Sequence, residues 1–213
     1  MFCSRKIITN RIEGDVLTKK QNIIQAATRL FAAQGFDGTT TLQITKEAGA
    51  TEPLLYHHFK GKDELFTHIL SKAFAEYFDR TEKLEKNTGT QFQKIENLID
   101  FHFQFVKDMP DEIYLIVSTC PAKLNDPEHF CAQNVQRQRK WLTSYLTNCL
   151  KKGINSGEFN TVPLTATVGL MIAMINGLLR QRSLQLEAVR NMKKTTIDFC
   201  RRSLVKKTNA AKP

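Results

Sequence analysis

The sequence predicts an all-α protein of about nine helices, in which an N-terminal three-helix unit containing a helix-turn-helix precedes a larger helical domain. Three observations predict this class. Apolar residues recur at helical spacing along the chain, capping patterns and Gly or Pro terminators divide it into segments, and strand-like alternation bounded by turn residues is absent from its 213 residues. No internal repeat is found, so a solenoid or propeller is excluded.

Helix 1 is predicted over residues 19–34. Its apolar side chains recur at i, i+3, i+4 and i+7, Thr18 and Gln21 form a capping box, and Gly35 is suited to a left-handed helix end. Residues 1–17 precede it as an N-terminal arm.

The helix-turn-helix is predicted at about residues 40–59. Thr40 and Gln43 form a capping box at the start of helix 2, and this helix ends at Gly49. Thr51 caps helix 3. Helix 2 is expected to bury an apolar side formed by Leu42, Ile44 and Ala48.

The rest of the chain continues with helical periodicity. Residues 18–64 are predicted as the first domain, 65–205 as a second helical domain and 206–213 as a basic tail. The fourth helix is predicted to begin at Asp63 and Glu64, and the next two to span the apolar series from Phe92 to Met109 and residues Glu112 to Cys120. A long helix is then predicted from an N-cap at Asp126, with Pro127 as its first residue, to near Gly157. The last two helices are predicted over residues 164–182 and 185–205.

The composition is that of an ordinary globular protein. Hydrophobic residues make up 41% and charged residues 24%, which excludes collagen-like, fully disordered and disulfide-scaffold classes. The most apolar stretch, residues 164–179, is shorter than the roughly 20 residues that cross a bilayer, so we expect a core or interface helix and no membrane association.

The cysteines indicate a reducing compartment. Their number is odd and no C-x-x-C pair occurs, so we expect free thiols in the cytoplasm and no zinc site. No apolar core of a signal peptide is found in residues 1–17. The five cysteines are Cys3, Cys120, Cys131, Cys149 and Cys200.

The positive charge is concentrated at the two ends. Residues 1–62 carry nine basic and five acidic side chains, residues 63–179 carry 12 and 14, and residues 180–213 carry ten and two. A basic N-terminal segment suits a polyanion such as nucleic acid. Two interpretations of the arm remain open, a disordered lead-in and a minor-groove arm acting through Arg5, Lys6 and Arg11.

A helix-turn-helix presents its second helix to a DNA major groove while phosphates are held around it. Residues 18–66 contain the run AATRLFAAQGFDGTTTLQITKEAGATEPLLYHHFKGKDELF. This run resembles the DNA-binding domain of the TetR family of transcriptional repressors in its helix-1 Ala and Phe, its Gly-aromatic pair, its Thr-rich cap, its Ala-Gly and its Leu-Tyr-His-His-Phe.

The resemblance implies roles for nine residues in DNA binding. It implies that Thr40, Thr41 and Lys62 hold phosphates and that Tyr56 and His58 contact the backbone, which positions a protein without reading sequence. It further implies that the base edges are faced by Thr51, Glu52, Leu54 and His57.

Two residues depart from the family's pattern. Glu52 stands where a basic or small residue is common, and Pro53 stands where Gly often allows close approach. A carboxylate repels phosphates, although it suits a helix start and can accept from a cytosine amino group. Adjacent His57 and His58 point about 100° apart and lack a third ligand, so we expect no metal. Phe59 is expected in the core and Tyr56 at the surface.

The second domain is expected to contain a sensor pocket for a largely apolar small molecule. Its aromatic and Met side chains are numerous enough to line a pocket, with His102 or Asn176 orienting the ligand. At helical spacing, each of these residues is also compatible with a plain core position. The expected lining consists of Phe101, His102, Phe103, Phe105, Tyr114, Trp141, Tyr145, Met171, Met174 and Asn176.

The last two helices are expected to form a homodimer interface. Small residues four apart allow close helix approach, and two helices from each subunit make a four-helix contact, as in the TetR family. The expected interface consists of Gly169, Ala173 and Gly177 with Leu186, Val189, Ile197, Cys200 and Leu204.

The resulting hypothesis is a homodimeric repressor that binds a palindromic operator in double-stranded DNA and is released by a small molecule. No catalytic motif competes, so we expect neither an enzyme nor a cofactor. Two alternatives remain, a ligand- or partner-binding protein whose helix-turn-helix is vestigial, and a loosely specific DNA binder driven by the basic ends.

Overall fold

The computed structural model describes residues 4–181 and 191–206. Within these ranges the regular secondary structure is helical, apart from one isolated bridge between Phe159 and Val205, which confirms the predicted all-α class. Nine α-helices and one 3-10 helix are present there: α1 Ser4–Gln34, α2 Thr41–Glu47, α3 Glu52–His58, α4 Lys62–Glu85, α5 Gln91–Asp108, α6 Pro110–Thr119, the 3-10 helix Cys120–Lys123, α7 Phe130–Asn155, α8 Leu164–Gln181 and α9 Met192–Leu204.

The contacts divide the chain into two compact units, residues 1–73 and residues 74–213. Helix α4 runs through this division, so its residues 62–73 belong to the first unit. No helix in the described part of the chain is long and apolar enough to cross a membrane.

The first unit is built on α1, α2, α3 and the start of α4. In its core, the ring of buried Phe31 packs with those of half-buried Phe36 and Phe66, stacked or edge-to-face, with centroids 5.1 to 5.5 Å apart. The largest side chains below 2% exposure in this unit are Ile23, Phe31, Ile44, Leu55, Leu65, Ile69 and Leu70.

Helix α1 begins at Ser4 rather than at residue 19. Helical backbone therefore extends over residues 4–17, for which the sequence left a disordered lead-in and a minor-groove arm as open interpretations. Thr18 lies inside the helix and does not cap it. The reason is that a capping pattern permits a helix start without requiring one, and no proline interrupts the preceding residues. Gly35 does end the helix, at φ +80°.

The second unit has one apolar core formed by α5, α7, α8 and α9 with the end of α4. The charged residues of these helices lie at its surface, and two ion pairs join α9 to α5: Arg201 with Glu96 and Lys193 with Asp100. The core cluster consists of Leu84, Phe92, Ile95, Leu98, Ile99, Leu142, Tyr145, Leu146, Cys149, Leu150, Phe159, Val168, Met171, Ile175, Cys200 and Leu204.

Helix α7 begins later than predicted. Its N-cap is His129, whose Nδ1 accepts from the N–H of Cys131 at 3.1 Å. Asp126 instead closes a turn, because its carboxylate accepts from the N–H of Glu128 and its carbonyl from that of His129. Asx residues stabilise such turns as readily as they cap helices, so the expected N-cap at Asp126 was wrong.

The cysteines also differ from expectation. Cys120 and Cys131 form a disulfide with their Cα atoms 5.3 Å apart, so the prediction of free thiols is wrong for this pair. The short loop between the 3-10 helix and α7 brings them together across 11 residues, a pairing that spacing alone does not reveal. Cys149 and Cys200 are free and buried, and desolvation raises the pKa of each thiol to about 11. Cys3 lies outside the described residues.

Candidate functional site

The turn between α2 and α3 is held by local hydrogen bonds. The N–H of Gln43 donates to Oγ1 of Thr40 at 3.2 Å, and the N–H of Thr40 donates to Oε1 of Gln43 at 2.9 Å, which confirms the predicted capping box. Gly49 follows at φ +58°, where a Cβ is disfavoured. Its carbonyl accepts from Nζ of Lys19 at 2.7 Å, so α1 supports the turn.

Helix α3 is anchored by its fourth residue, Leu55, and is exposed at its fifth, Tyr56. Leu55 is fully buried, whereas Tyr56 is 53% exposed and His57 is also exposed. Thr51 occupies the N-cap position, but its side chain makes no cap hydrogen bond; its carbonyl accepts from the N–H groups of Leu54 and Leu55 at 3.1 Å. The helix thus presents polar ring groups to solvent around one apolar anchor.

Two residues expected at phosphates have partners inside the first unit. The hydroxyl of Thr41 donates to Oε1 of Glu52 at 2.7 Å. Nζ of Lys62 donates to the carbonyl of Phe36 at 2.8 Å and lies 4.2 Å from the centre of the Phe36 ring. Lys62 keeps two further N–H donors, because an ammonium group has three.

The histidines at the end of α3 are close together. The rings of His57 and His58 lie 5.0 Å apart, and Nε2 of His58 is buried without a hydrogen-bond partner. Desolvation lowers the pKa of His58, and the nearby His57 and Lys20 lower it further. Within the described residues, no group of three His, Cys, Asp or Glu side chains is arranged to hold a metal ion.

The predicted DNA-binding residues share one region of the first unit but differ in exposure. Phe59 is buried, as predicted. Exposed members are Thr40, Thr51, Tyr56 and His57, and half-buried members are Thr41, Glu52, Leu54, His58 and Lys62.

Leu42 was assigned to the wrong side of helix 2. It is 63% exposed, whereas Ile44 and Ala48 are buried as predicted. Two residues along a helix differ by about 200°, so Leu42 and Ile44 cannot share a face, and this spacing was the signal that could have found it. An exposed Leu beside α3, together with exposed Lys46, adds to the surface that sequence reasoning identified.

In the second unit, several predicted sensor residues converge on Tyr77 of α4, which is not among the residues predicted for the sensor pocket. The hydroxyl of Tyr77 lies 3.2 Å from Nε2 of His102, and both side chains are buried. The pKa of Tyr77 is raised by desolvation. Ring centroids within 6.4 Å of the Tyr77 ring belong to Phe78, Phe101, His102, Phe105 and Trp141.

Trp141 extends this aromatic group to Tyr145. Their rings stack with centroids 5.1 Å apart, Nε1 of Trp141 donates to Oε1 of Glu85 at 2.6 Å, and the hydroxyl of Tyr145 donates to the carbonyl of Lys94 at 3.3 Å. Every polar group of the two rings is therefore satisfied within this unit.

The other predicted sensor residues are less concentrated. Met171 is buried in the core cluster, and Phe103 and Met174 are partly buried against it. Tyr114 is 39% exposed, and Asn176 is exposed on α8. An exposed Asn176 does not orient a ligand inside the core, so its expected role is wrong.

The predicted interface residues separate into two groups. Gly169, Ala173 and Gly177 are exposed along one face of α8, and apart from the nearby backbone of the helix no described atom lies within 4 Å of a Cβ built on either glycine. Leu170 on the same helix is 68% exposed, and Phe199 on α9 is 60% exposed. Neither of these two was predicted.

The second group lies inside the chain's own core. Cys200 and Leu204 are 3% and 2% exposed, so their expected place at an interface is wrong, and Ile197 packs against the same core. Ile197, Cys200 and Leu204 do share one face of α9, but that face packs against α5 and the core of the same chain. Leu186 and Val189 lie outside the described residues.

Comparisons with known proteins agree with this architecture. Residues 23–69 match the model for bacterial regulatory proteins of the tetR family. The HTH-type transcriptional repressor KstR2 of Mycobacterium tuberculosis is 22% identical over 152 residues, which cover 70% of this chain and 74% of the relative. The structure of that ketosteroid regulator covers 87% of this chain and 94% of its own, with a TM-score of 0.71 and 18% identity.

A second solved structure has the same fold. It is the transcriptional regulator FadR from Bacillus subtilis in complex with stearoyl-CoA, which covers 84% of this chain and 96% of its own, with a TM-score of 0.60 and 18% identity. The matched N-terminal segment is the one that holds α2, α3 and their turn. The chain is a DNA-binding transcriptional regulator whose residues 23–69 match the tetR family of bacterial regulatory proteins.

Proposed function

We propose that the chain acts in the cytoplasm as a repressor that binds a palindromic operator as a homodimer and is released by a small, largely apolar molecule. The observation that carries the DNA-binding part is the division of α3 between buried Leu55 and the exposed side chains of Tyr56 and His57. A helix anchored by one residue and exposed at the next presents a defined face to a groove.

The proposed contacts follow from hydrogen-bonding capacity. The hydroxyl of Tyr56 donates to a phosphate oxygen, and the remaining N–H donors of Lys62 bind a neighbouring phosphate. His57 and Thr51 face base edges, and the half-buried Leu54 contacts a thymine methyl group. Thr40 and His58 support the backbone contacts.

Homodimerisation is supported by the exposed face of α8 and α9. Leu170 and Phe199 are large apolar side chains with more than half of their surface exposed, and Gly169 and Gly177 leave open space for a neighbouring helix. A two-fold dimer presents two recognition helices to half-sites about one DNA turn apart, which is why we propose a palindromic operator.

Ligand control is supported by the aromatic group around Tyr77. Phe101, Phe105 and Trp141 offer apolar surface, and His102 offers one polar contact in the same place. The relatives named above include a ketosteroid regulator and a regulator solved with stearoyl-CoA; a steroid skeleton and a stearoyl chain are apolar, whereas the coenzyme A group is polar and charged. By linkage, a ligand that favours the DNA-incompetent form of the dimer weakens DNA binding by the same factor.

The test is fluorescence anisotropy with the full chain. The duplex from upstream of the protein's own gene is compared with a shuffled duplex of the same composition at several salt concentrations. We expect a preference for the upstream duplex that persists as salt rises. Equal binding that disappears with salt supports charge-driven association instead, and no binding to either duplex supports a vestigial helix-turn-helix.

A further inference from the structure

We infer that Thr41 and Glu52 form a positioning pair that fixes the recognition helix α3 against α2, and that Thr41 is not a phosphate anchor. The inference rests on the proposed DNA-binding function of α3. It concerns the hydrogen bond of 2.7 Å from the hydroxyl of Thr41 to Oε1 of Glu52, which joins residues 11 apart in sequence.

The first step is a count of donors. A threonine hydroxyl carries one hydrogen, and the oxygens of a phosphodiester only accept hydrogen bonds. While the hydroxyl of Thr41 donates this hydrogen to the carboxylate of Glu52, it cannot donate the same hydrogen to a phosphate oxygen. A hydrogen bond to an ionised acceptor is stronger than one between neutral groups, so the bond from Thr41 to the carboxylate of Glu52 is a strong one.

The second step is the position of the two residues. Thr41 is the first residue of α2, and Glu52 is the first residue of α3. The bond therefore joins the N-terminal ends of the two helices across their turn. Both side chains are half-buried, which limits the competition from water for this bond.

The third step is what α3 otherwise lacks. It has seven residues, and the side chain of its N-cap residue Thr51 makes no cap hydrogen bond. A helix this short is unstable on its own. Buried Leu55 fixes one point of the helix, and Glu52, its first residue, fixes a second point. Two fixed points determine the rotation of α3 about its axis, and hence the direction of Tyr56 and His57.

This assignment also explains why an acidic residue is tolerated beside DNA. The carboxylate of Glu52 lies in the first turn of a helix, where negative charge is favourable, and it accepts from an internal partner. Its cost in repulsion from phosphates is offset by the orientation that it imposes on α3.

The test is a double-mutant cycle on DNA preference with the full chain. The probe is the duplex that the wild-type chain enriches from a pool of random duplexes, and the readout is its affinity relative to a shuffled duplex. The ratio cancels the general electrostatic effect of removing the charge of Glu52. The variants are Thr41→Val, Glu52→Ala and the double variant, with thermal unfolding followed in parallel.

We expect each single variant to reduce the preference about tenfold and the double variant to reduce it no further. The conservative variants Thr41→Ser and Glu52→Gln each keep a donor or an acceptor in place, so we expect both to retain the preference.

Three outcomes would overturn the inference. In the first, Thr41→Val weakens binding to both duplexes equally, and it does so by the same factor in the wild-type chain and in the Glu52→Ala variant. Thr41 then contacts phosphate and acts independently of Glu52. If the cycle couples melting temperatures but leaves the preference unchanged, the pair only stabilises the fold. If the wild-type chain enriches no duplex at all, the proposed function fails and this inference fails with it, whereas the first two outcomes leave that function intact.

Discussion

The buried hydroxyl of Tyr77 donates a hydrogen bond to the buried ring of His102. Nδ1 of His102 lies 2.8 Å from the carbonyl of Leu98, which only accepts, so Nδ1 carries the hydrogen. Desolvation lowers the pKa of His102 to about 4, and the ring is therefore neutral at pH 7. Nε2 then accepts from the hydroxyl of Tyr77 at 3.2 Å.

This relationship predicts a pH-dependent stability. The folded pKa of His102 lies below the value of 6.5 for an unperturbed histidine, so between these values the unfolded chain binds more protons. Stability is therefore fully present above pH 6.5 and falls as the pH drops toward 4, by on the order of 3 kcal/mol from this residue. In His102→Gln, we expect the free energy of unfolding measured in urea to lack this part of its dependence on pH.

Tyr77→Phe is the matched control. It keeps His102, so the pH slope should remain, but it removes the donor to Nε2 and should lower the free energy of unfolding by about 1 to 3 kcal/mol at pH 7. Equal pH slopes in the wild type and in His102→Gln would contradict the assignment of His102 as a buried neutral base.

Tyr56 is expected to act in binding rather than in folding. Because its side chain is 53% exposed, Tyr56→Ala should change the melting temperature little while reducing affinity for the operator about tenfold or more. Deletion of residues 206–213 should reduce it less. Anisotropy with both variants decides this, and a larger loss from the deletion would favour charge-driven binding.

Gly153 is expected to tolerate no side chain. A Cβ at this position in α7 would lie 2.2 Å from Cδ2 of Phe159, which is buried and closes the core beside it. Gly153→Ala should therefore lower the free energy of unfolding by about 1 to 3 kcal/mol in a denaturant titration. Gly61→Ala is the control, because nothing lies within 4 Å of a Cβ there. Similar losses in both variants would argue against steric overlap as the cause.

The exposed face of α8 is expected to form the dimer interface. At Gly177, a Cβ meets no described atom within 4 Å apart from the nearby backbone of its own helix, and Gly177→Leu replaces a helical glycine, so we expect the folded monomer to keep its stability. The same side chain blocks close approach of a second helix, and Leu170→Glu places a charge there. Sedimentation velocity should show that both variants are monomers. Leu124→Glu, at a residue 45% exposed in a loop, should remain dimeric.

Local patterns determined most of the helical framework. Thr40 with Gln43 and the glycines at 35 and 49 act within four residues of themselves, so their capping and turn geometry was predictable and was found. The same local character explains the errors. Thr18 and Asp126 have the chemistry of helix caps, yet neighbouring residues continue a helix through the first and form a turn at the second.

The sequence by itself determined the all-α class, the position of the helix-turn-helix and the burial of Phe59 against the exposure of Tyr56. Only the tertiary structure decided that Thr41 meets Glu52, that Tyr77 meets His102, that Cys120 meets Cys131 and that Cys200 faces inward. The physical reason is that periodicity defines which residues share a helix face, whereas the packing of whole helices decides which neighbour that face meets.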